Sequence, residues 1–83
     1  MTDQPANARA VIEHIAKALV DAPGEVFLDE YEDGDETVIE LEVAEADLGK
    51  VIGRSGRIAR ALRTVLSAVG SKAEKRYALE IIE

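Results

Sequence analysis

Apolar positions recur first at helical and then at alternating spacing. From about Pro5 to Asp21, Ala8, Val11, Ile12, Ile15 and Leu19 share one side of a helical wheel, which predicts an amphipathic first helix. Pro5 suits its first turn, and Asp3 is the expected cap. Pro23-Gly24 should stop it, because proline has no N–H for the ladder and glycine readily takes a terminating turn. Val26 to Glu32 and Thr37 to Val43 then read as strands, with Asp33-Gly34 supplying the residues of a tight antiparallel hairpin. In the second strand Thr37, Ile39, Leu41 and Val43 alternate with Val38, Glu40 and Glu42, so one face should meet a core and the other water.

A short helical stretch, about Ala46 to Ile52, is interrupted at Gly53 and Gly56 before a longer helix to about Val69. On that helix Ile58, Leu62, Val65, Leu66 and Val69 fall on one side, and Arg57, Arg60 and Arg63 on the other. Gly70-Ser71 is the expected terminator, and Arg76 to Ile82 reads as a last strand with Tyr77, Leu79 and Ile81 on one face. The order is therefore α-β-β-α-α-β. A helical crossover between the second and last strands makes them parallel, which predicts an α+β fold: a three-stranded mixed sheet with all helices on one face.

Length allows one core: 83 residues form one domain, expected over residues 5–83 behind a disordered tail at 1–4. The core must be aliphatic, since the aromatic residues are only Phe27, Tyr31 and Tyr77. No cysteine is present, which removes disulfides and thiolate metal sites and suits a reducing compartment. No apolar run approaches the roughly 20 residues of a membrane span, and no signal-peptide pattern opens the chain, so a cytoplasmic protein is expected.

Charge changes the picture. The net charge is -7, which on its own argues against a polyanionic ligand. Its distribution argues the other way. Residues 1–47 carry fourteen Asp or Glu against Arg9 and Lys17, whereas residues 48–83 carry eight Lys or Arg against Glu74, Glu80 and Glu83. Between Leu48 and Ala73 there is no acid, while Lys50, Arg54, Arg57, Arg60, Arg63 and Lys72 are all cationic.

The segment Gly49-Lys50-Val51-Ile52-Gly53-Arg54-Ser55-Gly56-Arg57-Ile58 concentrates the specific chemistry. Without Cβ atoms, Gly53 and Gly56 permit a sharp turn and close approach of a phosphate to the backbone. The following helix offers unpartnered N–H groups and a partial positive charge in its first turn, and Arg54 and Arg57 add full charges. Val51, Ile52 and Ile58 are the expected apolar floor holding both helices. A lone G-x-x-G is common in ordinary turns. Its weight here comes from the V-I-G-R-S-G-R-I-A-R-A-L context, the cationic helix face and the element order.

Catalysis has little to work with: His14 is the only histidine and reads as a surface or boundary residue beside Glu13, and Ser55 has no base near it in sequence. Gly49-Lys50 lacks the spacing of a P-loop, and Asp29 to Glu36 lacks the glycine and glutamate positions of a calcium loop. No enzyme activity, cofactor, metal site or small-molecule substrate is expected. The rival reading is a protein-interaction module whose surface serves dimerisation while the acidic half recruits a partner.

The run G-K-V-I-G-R-S-G-R-I-A-R-A-L resembles the signature of KH domains, and the element order resembles their type II arrangement. Ile15-Ala16-Lys17-Ala18-Leu19-Val20, the acidic hairpin and Leu48 to Val65 extend the similarity to the small single-KH bacterial proteins of the KhpA kind, over about Val11 to Ile82. The resemblance implies a groove for about four nucleotides of single-stranded RNA between the helices flanking G-x-x-G and a neighbouring strand. Gly53, Arg54, Ser55 and Gly56 would then contact sugar-phosphate, supported by Lys50 and Arg57, with Arg60 and Arg63 ranked second. It further implies self-association, a homodimer or a heterodimer with a larger KH-and-Jag-domain protein of the KhpB kind. Such a complex would be an RNA chaperone or regulator linked to cell-wall homeostasis and cell shape. The long acidic hairpin, Asp29 to Glu36, departs from the pattern and is expected to face away from the groove.

Overall fold

The computed structural model describes residues 7–83, so the expectations placed on Asp3, Pro5 and the tail at 1–4 lie outside the described residues. The first helix, α1 (Ala8–Leu19), is capped by Asn7, whose Oδ1 accepts from the Ala10 N–H at 3.0 Å. Ala8, Ile12 and Ala16 are its buried stripe. The chain leaves the helix at Val20, earlier than Asp21, and Pro23–Glu25 forms one 3₁₀ turn.

Strands β1 (Phe27–Asp33) and β2 (Glu36–Glu42) pair antiparallel from Phe27↔Glu42 to Asp33↔Glu36, so the hairpin turns on Gly34 and Asp35 alone. Strand β3 (Arg76–Ile81) pairs parallel to β2, from Glu36↔Arg76 to Leu41↔Ile81. The sheet order is β1-β2-β3, with β2 central. Between β2 and β3 come a 3₁₀ turn (Glu45–Asp47), helix α2 (Leu48–Ile52), the loop, and helix α3 (Arg57–Ala73).

Ile12 and Ala16 of α1, Val51 of α2, Leu62 and Leu66 of α3 and Ile39, Leu41 and Leu79 of the sheet meet in one core. Thus the helices cover one sheet face, as the alternation in β2 predicts. Fully burying each of these Ile, Leu and Val side chains contributes about 1.5–3 kcal/mol, so this core carries the stability of a chain with no crosslink. Thr37 is buried at the end of the core face, where its hydroxyl donates to Glu32 Oε2 at 3.0 Å. The opposite face is not uniformly wet: Val38 points away from the helices, between Tyr31 and Ala78 in register, yet is only 5% exposed.

The long helix ends later than predicted. Gly70 and Ser71 lie inside α3, and Glu74 caps it in the left-handed conformation, with Lys75 N–H closing back on Gly70 O at 2.8 Å. Gly70 is needed for another reason: a Cβ there would stand 2.5 Å from the Lys75 carbonyl oxygen and 3.2 Å from the Tyr77 ring. The missing side chain lets the chain fold back tightly into β3.

Candidate nucleic-acid interface

Helix α2 ends at Gly53, where φ is 77° and ψ is 168°, a conformation closed to residues with a Cβ. A Cβ at Gly53 would also fall on the Ile58 side chain and 2.8 Å from its backbone nitrogen. Ser55 (φ 57°, ψ 25°) and Gly56 (φ 73°, ψ 18°) are both left-handed, and this pair reverses the chain into α3. For Ser55, that conformation costs about 1–2 kcal/mol. Two contacts hold it: Gly56 N–H donates to Gly53 O at 3.0 Å, and Arg60 Nη1 donates to Ser55 O at 2.9 Å.

Among the described residues, the backbone N–H groups of Arg54 and Ser55 make no hydrogen bond. Both residues are exposed, as is Arg57. The loop tip therefore presents two open donors, with the exposed Arg54 and Arg57 in the same stretch, at the start of a 17-residue helix, the combination that receives an oxyanion.

Beside the loop lies a cleft of about 380 Å³ lined by Ile52, Gly56, Ala59, Arg60 and Arg63 on one wall and by Glu80, Ile81 and Glu83 on the other. The strand wall is the free edge of β3. Ile82 N–H donates to Leu41 O at 2.9 Å, so even-numbered residues turn their backbone groups to β2 and Tyr77, Leu79 and Ile81 turn theirs outward. Arg63 Nη2 already donates to the Leu79 carbonyl at 3.3 Å. Beyond Arg63 the furrow continues past Leu66, Tyr77 and Leu79.

Gly53, Arg54, Ser55, Gly56, Arg57 and Arg60 are thus brought together at one end of α3, with Ile52 as apolar floor. Val51 is not on that floor: it is fully buried in the core. Ile58 packs partly buried against the core behind Gly53. Lys50 is turned aside, its Nζ 3.3 Å from both Asp47 Oδ1 and Asp21 Oδ2. Hydrogen bonds from Lys50 to Asp21 and Asp47 hold its ammonium above the ordinary lysine range. Its charge is spent on the loop between α1 and β1 rather than on the cleft.

Asp47 is the residue that charge counting conceals. It is 2% exposed; Oδ2 accepts from the Ala22 N–H at 3.0 Å and Oδ1 from Lys50. Burial pushes its carboxyl up, but the Ala22 and Asp21 N–H groups and Lys50 together outweigh this and hold it below the usual aspartate value. It ties the start of α2 to the α1–β1 connection. Ala59, Ile81, Glu80 and Glu83 are further cleft residues that spacing did not single out. Ile81 shares its periodicity with the core-facing Leu79, and no pattern in the chain separates an edge wall from a core position. The acidic strand β1, by contrast, lies at the far sheet edge, two strands from the cleft.

The sequence profile of the family described as "KhpA/KhpB, KH domain" matches residues 9–81. Among curated proteins, the chain is 53% identical over 73 residues to "RNA-binding protein KhpA" of Treponema pallidum, covering 88% of this chain and 91% of that protein. It is 55% identical over 73 residues to "RNA-binding protein KhpA" of Aquifex aeolicus, covering 88% and 92%. The protein of that name from Halalkalibacterium halodurans is 48% identical over 75 residues, covering 90% and 99%. No solved structure matches the chain. A match across nearly all of the described fold, together with relatives at about half identity along most of both chains, establishes that this chain belongs to the KhpA/KhpB KH-domain family.

Proposed function

We propose that the chain binds single-stranded RNA, clamping sugar-phosphate at Gly53-Arg54-Ser55-Gly56 and laying about four nucleotides along the cleft between α3 and the free edge of β3. The observation that carries this reading is the pair of open N–H groups at the exposed Arg54 and Ser55, in the loop that runs through Gly56 into the lining of the cleft. The names of the relatives support RNA over other anions. Among the described residues the loop cleft has no aromatic lining, so it forgoes the ~1–3 kcal/mol per base that stacking gives, and binding is weak and permissive. Association with a second KH unit raises the effective concentration of the grip. A copy of this chain or a larger KhpB-like KH-and-Jag-domain protein would serve, forming an RNA chaperone or regulator with a role in cell-wall homeostasis and cell shape.

The test is the double substitution Arg54→Asp with Ser55→Asp, read by fluorescence anisotropy with a labelled single-stranded RNA and by circular dichroism. Loss of binding with an unchanged melting curve is expected. Unchanged affinity in the folded variant overturns the assignment of the loop.

A further inference from the structure

We propose that the sheet face turned away from the helices is a docking surface for a cationic, apolar-bearing segment of a partner protein. Register places its residues in rows across the three strands. Asp29, Glu40 and Glu80 stand abreast, and Tyr31, Val38 and Ala78 form the next row. On the other side of the carboxylates Phe27 pairs with Glu42, and Ile82 continues the ladder by one residue through its bond to Leu41 O. Phe27 is 60% exposed, Tyr31 41% and Ile82 40%, and these are the large apolar or aromatic side chains left exposed among the described residues. A row of carboxylates thus crosses the face, joined on one side by Glu42 between Phe27 and Ile82, with apolar side chains on either side of it.

In the isolated domain this arrangement is unfavourable twice over. Like charges directly opposite across strands repel, and here three share one row. Large side chains on a bare sheet face keep apolar surface in water. Protection of an open sheet edge explains acids in β1, but not Glu40, which lies in the central strand. The Tyr31 phenol reports the same field: burial raises its pKa first, and Glu80, Glu40, Asp33 and Asp29 raise it further.

Charge decides the occupant. RNA is repelled by this face. A second copy docked through the same face would set one carboxylate row against another. Among the described residues no cluster of His, Cys, Asp and Glu is arranged to hold a metal ion. Lysine or arginine side chains of a partner would neutralise the central row while neighbouring aliphatic side chains cover Phe27, Tyr31 and Ile82. The face lies on the opposite side of the sheet from the helices and shares Glu80 with the wall of the loop cleft, so a partner there leaves the loop itself open to RNA.

The inference is independent of the RNA reading and is tested separately with two probes on the full chain, a twelve-residue Lys/Leu peptide and a Lys/Ser peptide of equal charge. By NMR titration the Lys/Leu peptide should bind at least tenfold more tightly, shifting amides of Phe27, Tyr31, Val38 and Ala78 while leaving residues 53–56 in place. Phe27→Ser and Glu40→Gln should each weaken it at least tenfold and leave affinity for labelled RNA unchanged. Glu40→Gln should also raise Tm by a few degrees by relieving the row. Equal binding of the two peptides, shifts centred on the loop, absence of saturable binding, or a Tm that does not rise would each overturn the proposal.

Discussion

Arg60 Nη1 donates to the carbonyl oxygen of Ser55 at 2.9 Å, so one guanidinium of α3 reaches back over the left-handed turn that precedes it. Hydrogen bonds to a charged donor contribute about 1.5–3 kcal/mol when sheltered; this one is exposed, so about 1 kcal/mol is the appropriate scale. That is comparable with the cost of the Ser55 conformation.

On the proposed RNA reading, Arg60 would act on the ligand through the loop. Arg60→Ala should weaken RNA binding roughly fivefold, the equivalent of about 1 kcal/mol, without changing the dependence of affinity on salt. Arg57→Ala should instead flatten the log-log salt slope by about 0.7, the contribution of one neutralised phosphate on a single strand. Anisotropy titrations between 50 and 300 mM salt separate the two. A slope flattened to the same extent by both variants would make Arg60 a direct phosphate ligand.

Gly70→Ala inverts an ordinary expectation. In a helix interior the change should stabilise by about 1 kcal/mol through propensity. Here the new Cβ would meet the Lys75 carbonyl oxygen, a backbone atom that cannot swing aside, and then the Tyr77 ring. The clash should outweigh propensity and leave the variant about 1–2 kcal/mol less stable, a fall of roughly 5–10 °C in Tm for a domain of this size. Thermal denaturation of a stable or stabilised variant would show that the α3–β3 corner relaxes freely.

The same glycine marks where sequence legibility ended. Helix faces, the hairpin, strand direction and the G-x-x-G loop follow from periodicity and turn chemistry, which are local properties, and all of them appear in the fold. Gly70 read as a stop because glycine commonly follows a helix; its real constraint is a contact with a residue five positions on, set by the path into β3. Lys50 and Val51 sit within the motif, yet one is turned to Asp21 and Asp47 and the other into the core. Their directions depend on which side of a five-residue helix meets α1, and no period is long enough there to reveal it.

Asp47 gives the domain a pH dependence of definite sign. Its carboxyl is held below the ordinary aspartate value in the fold, so its contribution is fully present above the unfolded value, about pH 4, and is lost as pH falls through the lower folded value. Lys50 behaves oppositely: held above the ordinary lysine range, it contributes fully below about pH 10.4 and loses that contribution as pH rises through its folded value. Between these limits both charges are in place. Asp47→Asn keeps the shape but removes the charge that the Ala22 N–H and Lys50 share, and Asp21 remains as the second partner of Lys50. The variant should melt several degrees below the parent from about pH 5 to pH 9, and the gap should narrow below about pH 4, where the parent carboxyl takes up its proton. Because Asp47 anchors the start of α2, the weakened tie should also speed amide exchange at Val51 and Ile52, ahead of the loop. A Tm gap that stays constant down to pH 2.5 would show that the side chain matters by shape alone, and that its charge contributes nothing to holding α2 against the α1–β1 connection.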